Sequence, residues 1–447
     1  MKYSNEPKRR RSQAERKPDE GATKVFGKSQ TKVFDKKSTK VFDKKASEKD
    51  PMKQSADLYR NSEPKVNKES GKWRFAPAVV FVAFIFTFAV WFIFNPKLDY
   101  SSSEKRYLQK FPSASFENIS SGKFGSEFES YFADHFPQRD LWVGLNAYYI
   151  LGTGNNGASG VYNCTDGYLI NKPVSIDNNL DKNIGVISKF RENISAPMTV
   201  MLVPSTGYIC SDKLPMVHNS YRDDEYMNRT KNTLFANNIN FVDLRESFKS
   251  AYKAGTQLYY RTDHHWTTEG AYLGYTNLCE QLGQTPAPRE SFNIETYPGF
   301  YGTTYSTSGF RLTEPDSISV WNDPDNSAAN IRVKISEGTE SNEYDSMFFY
   351  DHLDEDDKYP VFIDGNHALT EITNSKAKGG TIVLIKDSFS HCLAPFLAEN
   401  YKKVILVDTR YYKQSISEIV NRERPEQVVV LYGIDNLATD TDIVWLK

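Results

Sequence analysis

The stretch "TIVLIKDSFSHCLAPFLAENYKKVILVDT" (residues 381–409) reads as strand, turn, helix and strand in close succession. "TIVLI" is apolar or β-branched at every position. Such a strand is covered on both faces, which is the condition of a parallel sheet held between two helix layers. Working outward, "PMTVMLVP" (197–204), "INFVDL" (239–244), "GTIVLIKDS" (380–388), "KKVILVDT" (402–409) and "PEQVVVLYG" (425–433) are runs of the same kind. With helical stretches between them they predict an α/β sandwich of the doubly wound type. Residues 283–378 are rich in Ser, Thr, Asn, Asp and Tyr without helical periodicity. They predict a β-rich insertion and a candidate cap over a site.

The turn at Lys386-Asp387-Ser388 is the first place to look for chemistry. A serine between the end of an apolar strand and the start of a helix is held exposed. The first helical N–H groups beside it point at any developing anion. This is the mechanics of a nucleophile elbow, although G-x-S-x-G is absent. Helix capping by Asp387, Ser388 and Ser390 is the competing reading. Cys392 is a rival nucleophile but falls inside the helix, where packing is the simpler role.

A serine nucleophile needs a base, and the chain has seven histidines. Two of them stand in "YYRTDHHWTTEGAY" (259–272). If that segment is extended, Asp263 and His265 share one face while His264 and Trp266 take the other. Asp263 then holds Nδ1 of His265 and leaves Nε2 free. Thr267 or Thr268 fits a helix cap, with Glu269 in the first turn. Capping alone and a metal site are the alternatives. Adjacent histidines rarely reach one ion together, and no third ligand is indicated.

The chain is not uniform. "FAPAVVFVAFIFTFAVWFIF" (75–94) is a run without a charge, long enough to cross a bilayer as a helix. A cleaved signal peptide fits badly so far from the start. Of the 55 Lys and Arg, 22 precede this run, against 11 of the 57 Asp and Glu. The positive-inside rule therefore predicts a single-pass membrane protein with a cytoplasmic N-terminus and an extracytoplasmic catalytic domain. Residues 1–72 are expected to be a disordered basic tail, residues 73–95 a transmembrane helix, residues 96–150 a juxtamembrane helical segment, and residues 151–447 the folded domain. The tail repeats "TKVF" from Thr23, Thr31 and Thr39. The repeats are either drift by local duplication or a multivalent docking motif for a cytoplasmic partner. The tail lacks a nucleic-acid-binding module, so no nucleic-acid partner is expected. Cys164, Cys210, Cys279 and Cys392 stand at spacings that indicate neither a disulfide framework nor a zinc motif.

The motifs "YFADHFPQRD" (131–140), "TDHHWTTEGAY" (262–272), "FYGTTY" (300–305), "DKYPVFIDGN" (357–366), "IKDSFSHCLAPFL" (385–397) and "VDTRYY" (407–412) together resemble the DHHW family. That family is similar to alginate O-acetyltransferase-type SGNH-hydrolase-like proteins. The resemblance spans about residues 105–435. It implies an SGNH-hydrolase-like (flavodoxin-like) parallel-sheet sandwich and a Ser-His-Asp triad that moves acyl groups, usually acetyl, onto hydroxyls of an exported bacterial polysaccharide. On this chain the triad falls on Ser388, His265 and Asp263. No cofactor and no metal are implied. The backbone N–H of Ser388 is the first candidate oxyanion donor. Gly365 and Asn366 are further candidates, and Arg410, Tyr411 and Tyr301 are candidates for substrate contact. No separate carbohydrate-binding module is recognisable after residue 435, so glycan recognition is expected from the cap and the aromatic-rich surface. The function expected is an O-acetyltransferase acting on a polysaccharide acceptor, supplied by a multi-pass membrane donor protein. A polysaccharide acetyl-esterase with the same triad and a non-catalytic glycan-binding assembly factor are the alternatives.

Overall fold

The computed structural model describes residues 75–174 and 179–446. The basic tail and its "TKVF" copies lie outside the described residues. The chain divides into two compact units between Pro77 and Ala78, and the fold below is that of the second.

Ala76–Phe94 is a single α-helix with mean hydropathy 2.5 and no buried residue. After it, a short antiparallel hairpin (Tyr100–Ser101 with Arg106–Tyr107) leads to helices Phe116–Ser120, Lys123–Asp134 and Arg139–Gly152. The motif at 131–140 locks this region. Arg106 donates to both carboxylate oxygens of Asp134 at 3.0 and 2.5 Å, and Asp134 also accepts from the Gln109 N–H at 2.8 Å. Buried His135 lies 3.1 Å from the Gln109 carbonyl.

The five predicted strands form one edge-to-edge parallel array. Tyr401–Val407, Gly379–Lys386, Gln427–Gly433, Met198–Val203 and Asn240–Asp243 lie side by side in that order. Alternate residues supply two different cores. Ile382, Leu384, Val404, Leu406, Val429 and Leu431 face the layer holding helices Thr268–Leu282 and Ser390–Asn400. Val383, Ile385, Ile405, Val407, Val428 and Val430 face the layer holding Asn179–Glu192 and Ile416–Glu423. Each such side chain contributes about 1.5–3 kcal/mol by leaving water, which is why the centres of these runs are almost wholly apolar.

The insertion is β-rich, but half of it serves the sheet and not a cap. Leu369–Asn374, Ile331–Glu337 and Glu340–Tyr344 continue the sheet antiparallel beyond Tyr401–Val407, giving a mixed sheet of eight strands. Ile331, Val333 and Ile335 alternate with polar residues, and this one-sided pattern marks an antiparallel extension more than a central strand. Asn293–Phe300 pairs separately with Asp316–Asn322. All four cysteines carry free thiols.

Candidate active site

The parallel strands end at one edge of the sheet, and Ser388 sits there between its two neighbouring strands. Ligands of open α/β sheets bind in this position. Asp387 shapes the turn. Its Oδ1 accepts from the Phe389 N–H at 3.0 Å, and its Oδ2 accepts from the Gly433 N–H at 2.8 Å and Asn436 Nδ2 at 2.7 Å. Burial raises the Asp387 carboxyl above its ordinary range against the pull of those donors. The helix that begins at Ser390 has no side-chain cap, so the competing capping role falls to none of Asp387, the half-buried Ser388 and Ser390. Cys392 packs in the core, and burial pushes its thiol up.

The segment carrying Asp263 is a bend, not an extended strand. Buried Asp316 pins it by accepting from the N–H groups of Arg261 and Thr262 at 3.1 and 2.8 Å and from the Thr262 hydroxyl at 2.7 Å. Asp263 Oδ1 then accepts both the backbone N–H of His265 at 2.8 Å and its Nδ1–H at 2.5 Å. His265 Nε2 is left as the acceptor for the Ser388 hydroxyl at 2.6 Å. Because the backbone turns, His264 does not go to the opposite face; its ring lies 3.9 Å from that of His265. Trp266 does go the other way. It is fully buried and donates Nε1–H to the Phe389 carbonyl at 3.0 Å, tying the His265 loop to the Ser388 loop. Thr267 caps the next helix, accepting from the Gly270 N–H at 3.2 Å.

Three features outside the predicted set complete the arrangement. The Thr303 N–H donates to Asp263 Oδ2 at 2.6 Å. It can approach because position 302 is glycine; a Cβ there would lie 2.1 Å from Asp263 Cβ. The Tyr359 ring stacks on His265 at 4.2 Å and 11°, and its hydroxyl donates to the Ser388 carbonyl at 3.2 Å. Behind the site, buried Lys386 donates to His391 Nε2 at 2.8 Å and to Asp408 at 2.9 Å. "FYGTTY" and "DKYPVFIDGN" contained the first two, but only tertiary contact shows what they touch.

Full burial pushes the Asp263 carboxyl up, yet His265, His264 and the hydrogen bond from His265 outweigh it and hold the group well below the usual carboxylate range. His264 is pulled down to about 4 from 6.5, first by burial and then by the charge of His265. The unfolded chain therefore binds a proton at His264 that the fold refuses between pH 6.5 and about 4, and stability falls as pH drops through that window. Glu399 and Asp435, both pushed up to about 7 by burial, act in the opposite sense. The comparison must therefore be made against a variant. His264→Gln is expected to show a smaller loss of urea midpoint than the wild type between about pH 7 and about pH 4.5. An identical loss in both proteins would refute this assignment.

Asp263, His265 and Ser388 open onto a cavity of about 590 Å³. Of the other predicted residues, Gly365, Asn366 and Arg410 line it and Tyr301 and Tyr411 do not. The Gly365 N–H is donated to the Phe362 carbonyl at 3.1 Å, so it is unavailable to an oxyanion. Arg410 grips Asp408 through Nε at 2.8 Å and Nη2 at 2.6 Å, and it donates to Asn366 Oδ1 at 2.7 Å, fastening the 357–366 loop to the sheet. Tyr301 packs against Tyr305, ring centroids 4.2 Å apart and tilted by 30°, and lines a separate cavity near the end of the apolar helix. Tyr411 is exposed beside the Arg410 guanidinium. Asp263, His264 and His265 have ligand atoms close enough to share an ion. The same carboxylate oxygens are already engaged by His265 and Thr303, and His264 Nδ1 lies 2.5 Å from the Thr303 hydroxyl.

Mixed sheet, helix layers and edge-mounted turn define an SGNH-hydrolase-like α/β domain. The model of the family described as DHHW protein matches residues 218–407 of the chain. A probable alginate O-acetylase, AlgJ of Pseudomonas fluorescens, is 25% identical over 185 residues, which are 40% of this chain and 46% of that protein. The chain thus spans less than half the length of that curated relative. A DHHW family protein from Eubacterium siraeum superposes with a TM-score of 0.52 at 18% identity, covering 64% of this chain and 95% of the other. Bacillus cereus PatB1, solved with a sulfonyl adduct, gives 0.51 at 19% identity, covering 63% and 97%. At these identities the likeness shows the fold.

Proposed function

We propose that the chain is a membrane-anchored O-acyltransferase that moves an acetyl group onto hydroxyls of an extracytoplasmic polysaccharide through an acetyl-Ser388 intermediate. The observation that carries this is the continuous hydrogen-bonded chain Asp263–His265–Ser388, 2.5 and 2.6 Å at its two links, opening onto a polar cavity. The likeness to a probable alginate O-acetylase supports the acyl-transfer class, and the apolar helix supports the anchor. The excess of Lys and Arg before that helix supports an N-terminus on the cytoplasmic side.

In this mechanism Ser388 Oγ attacks the donor carbonyl while His265 Nε2 takes the hydroxyl proton. Asp263 holds the imidazole in the required tautomer and stabilises the cation that forms. The Ser388 N–H faces the developing oxyanion. The leaving group departs with the proton from His265. The acceptor hydroxyl then gives its proton to His265 and attacks the acetyl carbonyl, breaking the ester bond to Ser388 and restoring the enzyme. The acceptor is a polysaccharide and the donor a multi-pass membrane protein. Acetyl-ester hydrolysis is the second reading, since water attacking the same intermediate needs only the same triad.

Incubating the full chain with 4-nitrophenyl acetate and locating the modified residue by mass spectrometry tests this. The expected result is acetyl on Ser388, absent in Ser388→Ala, and passed to added polysaccharide. A label that persists in Ser388→Ala would overturn the proposal, and release to water alone with acceptor present would select the esterase.

A further inference from the structure

The Arg139–Gly152 helix carries two apolar stripes where a helix on a domain surface needs one. Gly144 and Ala147 face the domain and are buried; a Cβ at Gly144 would stand 3.3 Å from Arg311 Cγ. On other positions, Leu141, Leu145 and Tyr149, four residues apart, are 54, 52 and 71% exposed, and Trp142 is exposed beside them. The preceding helices continue the patch with Phe128 and Phe132 and with Phe116, 88% exposed. These side chains stay 41% or more exposed despite ring contacts within the patch and with the apolar helix, and a patch of this size marks a binding surface.

What covers it follows from where it sits. Phe88 of the apolar helix stacks on Phe136 at 5.4 Å and 4°, and lies 6.0 Å from the Trp142 ring. Phe92 meets Phe132 at 4.8 Å and Tyr131 at 6.1 Å. Phe88 is about 9 Å below the end of that helix at 1.5 Å per residue. Side chains touching it share its depth. Lys97, the first base after the helix, folds back over the Phe92 ring at 3.6 Å, as a cation does at a membrane boundary.

We propose that the aromatic face of residues 116–149 is seated in the lipid leaflet on the catalytic-domain side, as an interfacial skirt around the anchor. This rests on reading Ala76–Phe94 as a membrane span. Docking of this kind would set the height of the active-site cavity. The hairpin after the anchor carries Lys105, whose Nζ donates to Asp357 Oδ1 at 2.9 Å, and Asp357 is part of the cavity wall. The cavity is thereby held at the bilayer surface, within reach of a membrane-borne acyl donor.

The test reconstitutes the full chain in phosphatidylcholine–phosphatidylglycerol vesicles, with a nitroxide on a cysteine introduced at Phe128 or Leu145. Collisions with oxygen, which partitions into lipid, are compared with collisions with a water-soluble nickel chelate. Val82→Cys reports the anchor, Lys253→Cys reports solvent, and the parent protein gives the background of its native thiols. Labels at 128 and 145 are expected to favour oxygen as the label at 82 does, while that at 253 favours nickel. Preference for nickel at 128 and 145 with oxygen preferred at 82 would overturn the docking alone. Shielding from both reagents would assign the face to a protein partner or a second copy and overturn it equally. Preference for nickel at 82 would remove the anchor and the proposal with it.

Discussion

Replacing Ser388 with alanine is expected to lower acetyl release from 4-nitrophenyl acetate on the order of 10⁶-fold, the loss that removing the nucleophile from a coupled three-group chain causes. The Ser388 hydroxyl has one partner in the structure, His265 Nε2. The turn around it is held by Asp387, Asn436, Tyr359 and Trp266 through atoms that the substitution leaves alone. Thermal unfolding of the variant should therefore match the wild type. A variant that folds normally and retains activity within about tenfold of wild type would show that Ser388 is not the nucleophile. A variant that loses activity together with its unfolding transition would show only that the turn had been mispriced as rigid.

The second large effect is expected from Gly302→Ala, a change of one methyl group at a residue that touches no substrate. Its Cβ would fall 2.1 Å from Asp263 Cβ and 2.3 Å from Oδ2. Those atoms belong to a fully buried carboxylate with no room to retreat, so either Asp263 or the 302–303 backbone must move. Overpacking of this kind costs about 1–3 kcal/mol of stability. The catalytic cost should be larger, about 10⁴-fold in kcat, because an imidazole without its orienting carboxylate takes the wrong tautomer. Asp263→Asn should show a rate loss of the same order without the steric overlap, together with a loss of stability from the amide hydrogens it sets against the His265 and Thr303 donors. Wild-type kcat in a folded Gly302→Ala protein would mean that the Asp263–Thr303 contact is dispensable.

The parallel half of the sheet was legible in the sequence because it is written locally, whereas Asp263, His265 and Ser388 stood out locally only as candidates and were joined as a triad through the family resemblance. Fully apolar runs announce strands covered on both faces, and Asp263 and Ser388 stand at breaks in such patterns. What was misread came from assuming regular backbone. The rule that alternate residues share a face holds for a strand, but the double hold of Asp263 on the amide and ring of His265 turns the chain and brings His264 alongside. Ile331–Glu337 falls in a stretch whose Ser, Thr, Asn, Asp and Tyr content without helical periodicity predicts a β-rich cap, and only its pairing to Leu369–Asn374 puts it in the sheet. Tyr301 and Tyr411 sat inside telling motifs, but a motif fixes neighbourhood, not the direction of a ring. Gly302 and Lys386–His391–Asp408 gave no local signal, since a steric vacancy and a buried charge cluster exist only once distant segments meet.

The bond from Trp266 to the Phe389 carbonyl has a consequence for how such a domain can diversify. It sets the distance between the two reacting loops with groups that are buried and lie outside the lining of the reaction cavity. The 357–366 wall is fastened separately, through Arg410 and Lys105. Wall residues other than Tyr359, which contacts both His265 and Ser388, can therefore vary without moving the reacting groups. Mutation can drift through the wall and change what is accepted, while the chemistry passes unchanged from ancestor to descendant.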